Sequence, residues 1–363
     1  MQTKTRANYS LSKLRPPAQV LWLFLGITYA LALISARAIM HKCDPLCFAT
    51  IGQHFLSGDP NGSIGYDGQF AYFIASDPSD AIRHLDAPAY RLQRILYPLL
   101  ARALALGQSN EVPLALLFVN VLGVGFGTAA FAELLSLETA PPWMPLLFFA
   151  WIGTAYSLLG DLNEITAVAL SLWALIFFHR HHPFAAGLTF GLAGLGKDTA
   201  FLFSIPLLIY LLMNKRWRET SQIGPLAVLP YLVWMVVISL VLGSWGFEVD
   251  ATHFETIPFA GLGTWGSAWP LIALVLILPS SICAALGASR WNSPYALMAL
   301  SGFFFLTFLP GGSYEVRAVF RLTTPLVLTC VLLVCQLRRQ VFARALSLIW
   351  SATSIAFIVA TIQ

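Results

Sequence analysis

Charge is scarce in this chain. Only 10% of its 363 residues are Asp, Glu, Lys or Arg, whereas a soluble domain carries about a quarter. With 58% hydrophobic residues and a mean hydropathy of +0.73, that scarcity excludes an ordinary soluble fold. The 21 Lys+Arg against 17 Asp+Glu leave a formal charge of +4, too small and too dispersed for a nucleic-acid surface. Cysteine is sparse as well, and five residues exclude a disulfide framework. Cys283, Cys330 and Cys335 lie in apolar runs and read as small hydrophobes. Cys43 and Cys47, four apart in a polar segment, remain candidates for a bridge, which a regular helix would strain. The seven His show no metal-ligand spacing; His179, His181 and His182 form a solvated turn. No G-x-S-x-G elbow, Walker loop or dinucleotide fingerprint is present, nor any internal repeat. Neither a cofactor nor a metal is called for.

What the sequence has instead is apolar runs. Eleven are suited to crossing a bilayer: Val20–Ala36, Val112–Leu135, Trp143–Leu159, Ile165–Phe178, Phe184–Leu195, Thr199–Met213, Ile223–Leu242, Pro270–Leu286, Tyr295–Leu309, Leu322–Leu337 and Leu346–Ile362. The expectation is an all-α polytopic membrane protein of about 11 transmembrane helices in one membrane domain. Several runs fall short of the ~20 residues that a spanning helix needs, as expected where a bundle encloses a wet cavity. Basic residues before the first run resemble a signal peptide, but no small-residue cleavage site follows, so an uncleaved first helix is expected.

Basic residues set the expected orientation. Lys4, Arg6, Lys13 and Arg15 precede the first run and should stay in the cytoplasm. Alternation then places Arg180, the cluster Lys215, Arg216 and Arg218, then Arg290, Arg338, Arg339 and Arg344 inside as well. The segment Ile95–Leu106 is apolar but short, and it carries Arg102. Counting it as a span would reverse everything downstream, so it reads as an interfacial or re-entrant helix, 95–106. On this topology all of the 17 acidic residues except Glu133, Glu138 and Glu219 face the outer side or its boundary. Orientation rules ignore acids, so the bias points to chemistry on the outer face.

The first outer segment, 37–111, is the one long polar stretch. It suggests a helix near Pro45–Leu56, a turn over Ser57–Gly65, and a helix from Asp67 to about Ala75. A second outer loop, 243–269, is rich in Gly and Trp and could cover a site.

The strongest local signal is Gly65-Tyr-Asp-Gly-Gln-Phe-Ala-Tyr-Phe-Ile-Ala75, followed by Tyr90-Arg-Leu-Gln-Arg-Ile-Leu-Tyr-Pro98. On position alone, Asp67 reads as a helix N-cap. Together, however, the two stretches resemble the PIG-V-type mannosyltransferases, and more broadly the GT-C integral-membrane glycosyltransferases. They are most similar to bacterial membrane proteins with a Tyr-Asp-Gly-Gln-Phe motif, associated with cell-surface glycopolymers. The resemblance runs from Asp44 to about Leu212. The chain departs from PIG-V in having Gln93-Arg94-Ile95-Leu96 where two Phe precede the Pro, so mannose does not carry over as the sugar.

The resemblance implies transfer of a sugar from a polyprenyl-phosphate donor to an extracytoplasmic glycan or lipid acceptor, inverting, at a bacterial inner membrane. In that reading Asp67 is the general base, with Asp44, just after the first span, as the alternative. Arg317 and Arg321, four apart on one helix face, would grip the donor phosphate with Lys197, and Arg94 would help. Asp161 and Glu164, in the turn Asp161-Leu-Asn-Glu164, would position acceptor hydroxyls. Each has a plainer reading: acidic helix starts for Asp161 and Glu164, an internal pair for Lys197 with Asp198, and interface snorkelling for Arg317 and Arg321 beside Glu315. The rival class is a lipid or solute transporter. That class should show two related halves and polar groups at mid-span, whereas here the polar groups gather at one face.

Overall fold

A computed structural model describes residues 16–246, 255–261, 269–309 and 316–362. Glu315 and most of the 243–269 loop lie outside the described residues. Among those described, regular structure is helical, and strand pairing is confined to one isolated antiparallel bridge, Ile51–Gly65.

Five helical stretches are long and apolar enough to cross a membrane: Gln19–His41, Ser109–Leu137, Trp217–Leu242, Pro270–Ala288 and Gln340–Ile358. A sixth is added if Val316–Leu322 and Thr324–Gln336, bent by 45° at their junction, count as one. These are the helices of a membrane protein. Glu164–His179, Pro183–Gly196, Asp198–Met213 and Pro294–Thr307 are apolar but shorter.

The run Trp143–Leu159 is not one helix. It forms Leu146–Ala150 and Ile152–Leu159, separated by Trp151 in extended backbone (φ −64°, ψ 130°). The break is fixed by packing. The buried Trp151 indole donates to the Phe320 carbonyl and to Thr324 Oγ1, each at 3.1 Å. A Cβ on Gly153 would lie 2.1 Å from the same Phe320 oxygen. The broken helix is thus clamped backbone-to-backbone on Val316–Leu322, the helix that carries Arg321.

Small residues set the other close approaches, as in membrane bundles generally. Helix Pro183–Gly196 lies on Trp217–Leu242 so closely that a Cβ on Gly191 would sit 2.3 Å from the Leu226 carbonyl oxygen, and one on Gly187 2.9 Å from that of Ile223. Pro16–His41 meets Val112–Leu137 through Gly26 and Gly125 in the same way. The outward faces remain apolar: Leu240 is 81% and Val241 72% exposed, a surface suited to lipid.

Within 37–111 the expected helix Pro45–Leu56 is instead a 3-10 turn, Pro45–Ala49, and a short helix, Gln53–Ser57. The chain breaks at Thr50 (φ 53°), whose carbonyl accepts from Tyr66 N at 2.9 Å while Ile51 pairs with Gly65. Cys43 and Cys47 are bridged across a Cα separation of 5.9 Å, which this irregular backbone permits and a regular helix would strain. Helix Gly68–Ser76 follows as expected. Helix Leu96–Leu104 buries Tyr97, Pro98 and Ala101 and leaves Leu99, Leu100 and Leu104 exposed, the one-sided pattern of a surface-lying helix. Arg102 Nη1 donates to the carbonyls of Ala75 (2.9 Å) and Ser76 (2.8 Å), closing the end of Gly68–Ser76.

Gly191→Val should overpack the Pro183–Gly196/Trp217–Leu242 contact and cost about 1–3 kcal/mol. Thermal unfolding in detergent should show a lowered midpoint, whereas Gly224→Ala on the same helix, where a Cβ would meet only the Leu208 side chain at 3.6 Å, should leave it nearly unchanged.

Candidate functional site

Each residue of the Tyr-Asp-Gly-Gln-Phe stretch has a structural task. Gly65 adopts φ 72°, and a Cβ there would lie 2.5 Å from both Gly52 N and Thr50 O, so the bridge needs a glycine. Gln69, 1% exposed, accepts from Gly52 N (3.0 Å) and donates to Ile64 O (2.8 Å), stapling the turn to the helix start. A Cβ on Gly68 would be 2.1 Å from the Gly160 carbonyl oxygen. That contact seats the start of the helix on the turn that holds Asp161. The Phe70 ring lies under the Arg91 guanidinium at 4.1 Å, a cation–π contact.

Asp67 stands at the N-cap position, yet its side chain makes no capping hydrogen bond. Its carboxylate is divided between two arginines instead. Oδ1 accepts from Arg91 Nη1 at 3.1 Å, and Oδ2 from Arg321 Nη2 at 3.0 Å. Arg91 is aimed by a fork on Asp86, with Nε–Oδ1 and Nη2–Oδ2 both 2.7 Å. Partial burial raises the Asp67 carboxyl, but Arg321, Arg91, Lys197 and Arg94 together outweigh it and hold the group well below the usual carboxylate range.

Arg321 also reaches Glu164, with Nη1 3.5 Å from Oε1, and Lys197 Nζ lies 3.2 Å from the same oxygen. These charges are deep: Lys197 is 2%, Glu164 3% and Arg321 4% exposed. Helix ends help to hold two of them there. Glu164 opens Glu164–His179, where the positive end of the helix dipole favours an acid. Lys197 closes Pro183–Gly196, its own N–H bonded to Ala193 O, where the negative end favours a base. Arg94 Nη2 donates to Tyr90 Oη at 2.5 Å and lies 3.7 Å from Asp198 Oδ2. Besides these ion pairs, Arg94 Nε, Arg321 Nε, Glu164 Oε2 and the Asp161 carboxylate oxygens meet no partner in good hydrogen-bond geometry. Such atoms are rare in a settled core.

A cleft bordered by Asp67, Arg91, Arg94, Pro98, Asp161 and Asn163 faces these groups. Its free volume is only about 20 Å³, room for one water. Any larger ligand enters by displacing side chains that now pair with one another.

Of the residues singled out in the sequence, Asp67, Glu164, Lys197, Arg94 and Arg321 meet in this network, and Asp161 borders the same cleft. Two do not join it. Asp44 is exposed and accepts from Leu46 N at 3.1 Å, capping the 3-10 turn. Arg317 is exposed, its guanidinium 5.9 Å from the centre of the Tyr156 ring, and so does not share the buried position of Arg321. Lys197 pairs with Glu164 rather than with its neighbour Asp198. Arg91, Asp86 and Tyr90 were not assigned roles from sequence. The available signal was the spacing of Arg91 and Arg94, which puts both on one helical face. Among the described residues, no three His, Cys, Asp or Glu side chains gather as a metal set. Compared with known proteins, the chain matches no family model, and no curated protein or solved structure matches it significantly.

Removing Arg321 leaves Asp67 with one partner and Glu164 with Lys197 alone. Arg321→Ala should therefore cost about 3–5 kcal/mol, the usual penalty for breaking a buried pair from one side. Arg317→Ala should fall within about 0.5 kcal/mol, as for an exposed site. Thermal melts of the two variants in detergent check the contrast.

Proposed function

We propose that this chain is an integral-membrane glycosyltransferase that moves a sugar from a polyprenyl-phosphate donor to an extracytoplasmic glycan or lipid acceptor. The observation that carries the reading is the cationic group Arg91, Arg94, Lys197 and Arg321, the last three buried, arranged around carboxylates at the ends of apolar helices, with Arg91 and Arg94 bordering a cleft beside Asp67 and Asp161. A phosphate monoester or diester is the natural ligand for such a group, since guanidinium N–H donors match its oxygens in pairs. Arg321 Nε and Arg94 Nε, which have no hydrogen-bond partner, and Arg321 Nη1, held to Glu164 only by a 3.5 Å ion pair, are donors available for that purpose.

In this reading the four shorter apolar helices, and the broken one at Trp151, complete an eleven-span bundle with its N-terminus in the cytoplasm of a bacterial inner membrane. The Cys43–Cys47 bridge supports placing 37–111 outside, because disulfides persist in oxidising compartments. Nucleotide sugars are held in the cytoplasm, so an outward-facing enzyme needs a donor that reaches the outer leaflet, and a polyprenyl-phosphate sugar does. The donor phosphate enters against Arg321, Lys197 and Arg94, displacing ion pairs that now close the cleft. Charge developing on the leaving phosphate is then met by donors already in place. The phosphate leaves as a stable anion and needs no proton. The acceptor hydroxyl must lose one, and the carboxyls facing the cleft are Asp67 and Asp161.

Purified protein incubated with a panel of polyprenyl-phosphate sugars and membrane-glycan acceptors should yield a glycosylated product and free polyprenyl phosphate. Arg321→Lys should weaken donor binding at least ~10-fold, because the bidentate grip is lost while the charge is kept. Movement of intact lipid without bond cleavage would assign the chain to transport instead.

Orientation is tested separately. Cysteines placed at the exposed positions Asp59 and Lys215, in a background without Cys283, Cys330 and Cys335, should react with an impermeant reagent from opposite sides, position 59 from outside.

A further inference from the structure

We propose that Asp161 is the carboxyl that takes the proton from the acceptor hydroxyl, and that Asp67 serves as the fixed anion that aims Arg91 and Arg321. The inference rests on the glycosyl-transfer reading above and changes its general base.

The two carboxyls border one cleft but differ in what they have left to offer. Each oxygen of Asp67 already accepts from a guanidinium, at 3.1 and 3.0 Å. Asp161 is 0% exposed, and neither of its oxygens meets a donor in good hydrogen-bond geometry, the Tyr97 hydroxyl alone standing near enough to favour the carboxylate weakly. Its backbone is left-handed at φ 50°, a conformation that Asp tolerates better than most residues. The turn is pinned by Gly160 N to Tyr156 O (3.0 Å) and Leu162 N to Ser157 O (2.9 Å). The Gly68–Gly160 contact then seats this turn against the start of the Asp67 helix. A buried carboxyl held in a costly backbone, with most of its lone pairs unspent and a cleft in front of it, is poised to receive a donor.

The charged and titratable groups around it are few. Arg37, from the first helix, already donates to Leu159 O at 3.1 Å. Tyr97, from Leu96–Leu104, donates to Leu116 O (3.1 Å) and accepts from Asn120 Nδ2 (2.8 Å). Across the cleft stand Asp67, Arg91 and Arg94, the last two committed to Asp86 and Asp67, and to Tyr90 and Asp198. Burial raises the Asp161 carboxyl well above the usual range, and Arg37 and Tyr97 only partly oppose this. Asp67 is pushed the other way. Two carboxyls driven apart by their surroundings divide acid–base labour in this manner, and the one raised toward neutrality is the effective proton acceptor.

The step balances as follows. The acceptor O–H proton passes to an Asp161 carboxylate oxygen, and the freed oxygen pair forms the bond to the sugar C1. The C1–O bond to phosphate breaks on the opposite face, its electron pair leaving with the polyprenyl phosphate, which is held by Arg321 and Lys197. Asp161 then returns its proton to water.

The test is a pH–rate profile of the full chain in lipid nanodiscs, using whichever polyprenyl-phosphate sugar of the panel is turned over. Asp161 acts only when ionised, so turnover should fall as pH drops through a value above the ordinary carboxylate range. Asp161→Asn should lower kcat at least ~100-fold with donor Kd unchanged, and Asp161→Glu should restore part of it with a shifted limb. Asp67→Asn should lower the rate yet keep the limb. Infrared spectra of the wild-type protein should show a protonated carboxyl band that titrates with the same limb and is missing in Asp161→Asn. Near-normal transfer by Asp161→Asn, or a profile flat down to strongly acidic pH, would overturn this assignment alone. No transfer by the wild-type protein from any donor of the panel would remove the glycosyl-transfer reading and this assignment with it.

Discussion

The ion pairs of Arg321 are the constraint on which the rest of the structure depends. One buried guanidinium binds Asp67, from the first loop segment, and Glu164, from the start of a helix nearly one hundred residues later in the chain. It offsets the repulsion between two carboxylates brought to one cation, the nearer of them to solvent also held by Arg91 and the buried one by Lys197. The backbone that carries Arg321 is itself held by direct contacts. Trp151 bonds to the carbonyl of its neighbour Phe320, and Gly153 lets that carbonyl approach to backbone contact. The broken helix around Trp151 thus helps to fix the position of a charge.

The network is also electrically economical. Glu164 and Lys197 are each set at the helix end whose dipole favours its sign, and Arg91 is held by Asp86 before it reaches Asp67. Cations and carboxylates thus alternate through the site. Such alternation lets a largely buried site keep four cations together. The small free volume of the cleft follows from the same arrangement, because these side chains hold one another.

Much of this was legible in the sequence, for identifiable reasons. Long apolar runs bounded by polar residues located most of the helices, because burial in a bundle and exposure to lipid both demand apolar side chains. The starts of Trp217–Leu242 and Gln340–Ile362 nonetheless lie one to two turns earlier than expected. The Asp67, Glu164, Lys197 and Arg321 group was legible because charges in so apolar a chain are few enough to be conspicuous. The break at Trp151 was not, since both halves of Trp143–Leu159 are equally apolar and only a distant carbonyl distinguishes them. That Asp44 and Arg317 stand apart from the Arg321 group was not legible, because sequence spacing shows which residues share a segment, not which way a loop turns. Asp44 spends its carboxylate on Leu46 N, and Arg317 points outward one turn from Arg321. The capping role suggested for Asp67 failed for a related reason: the position is a cap, but two arginines claim the side chain first.

The separation of 254 residues between Asp67 and Arg321 has a consequence for how the protein is made. At ribosomal speeds of about 5–20 residues per second, tens of seconds pass between emergence of the first residue and the second. During that interval Asp67 has Arg91 alone, and Glu164 can meet Lys197, only a short hairpin away, long before its other partner is synthesised. The nascent loop must stay hydrated until the helix with Arg321 inserts, since its charges cannot yet be sheltered from lipid. Assembly of the site is thus completed late, when nearly all of the chain has been made, and a nascent chain cut short before Arg321 would leave Asp67 and Glu164 with one cation each.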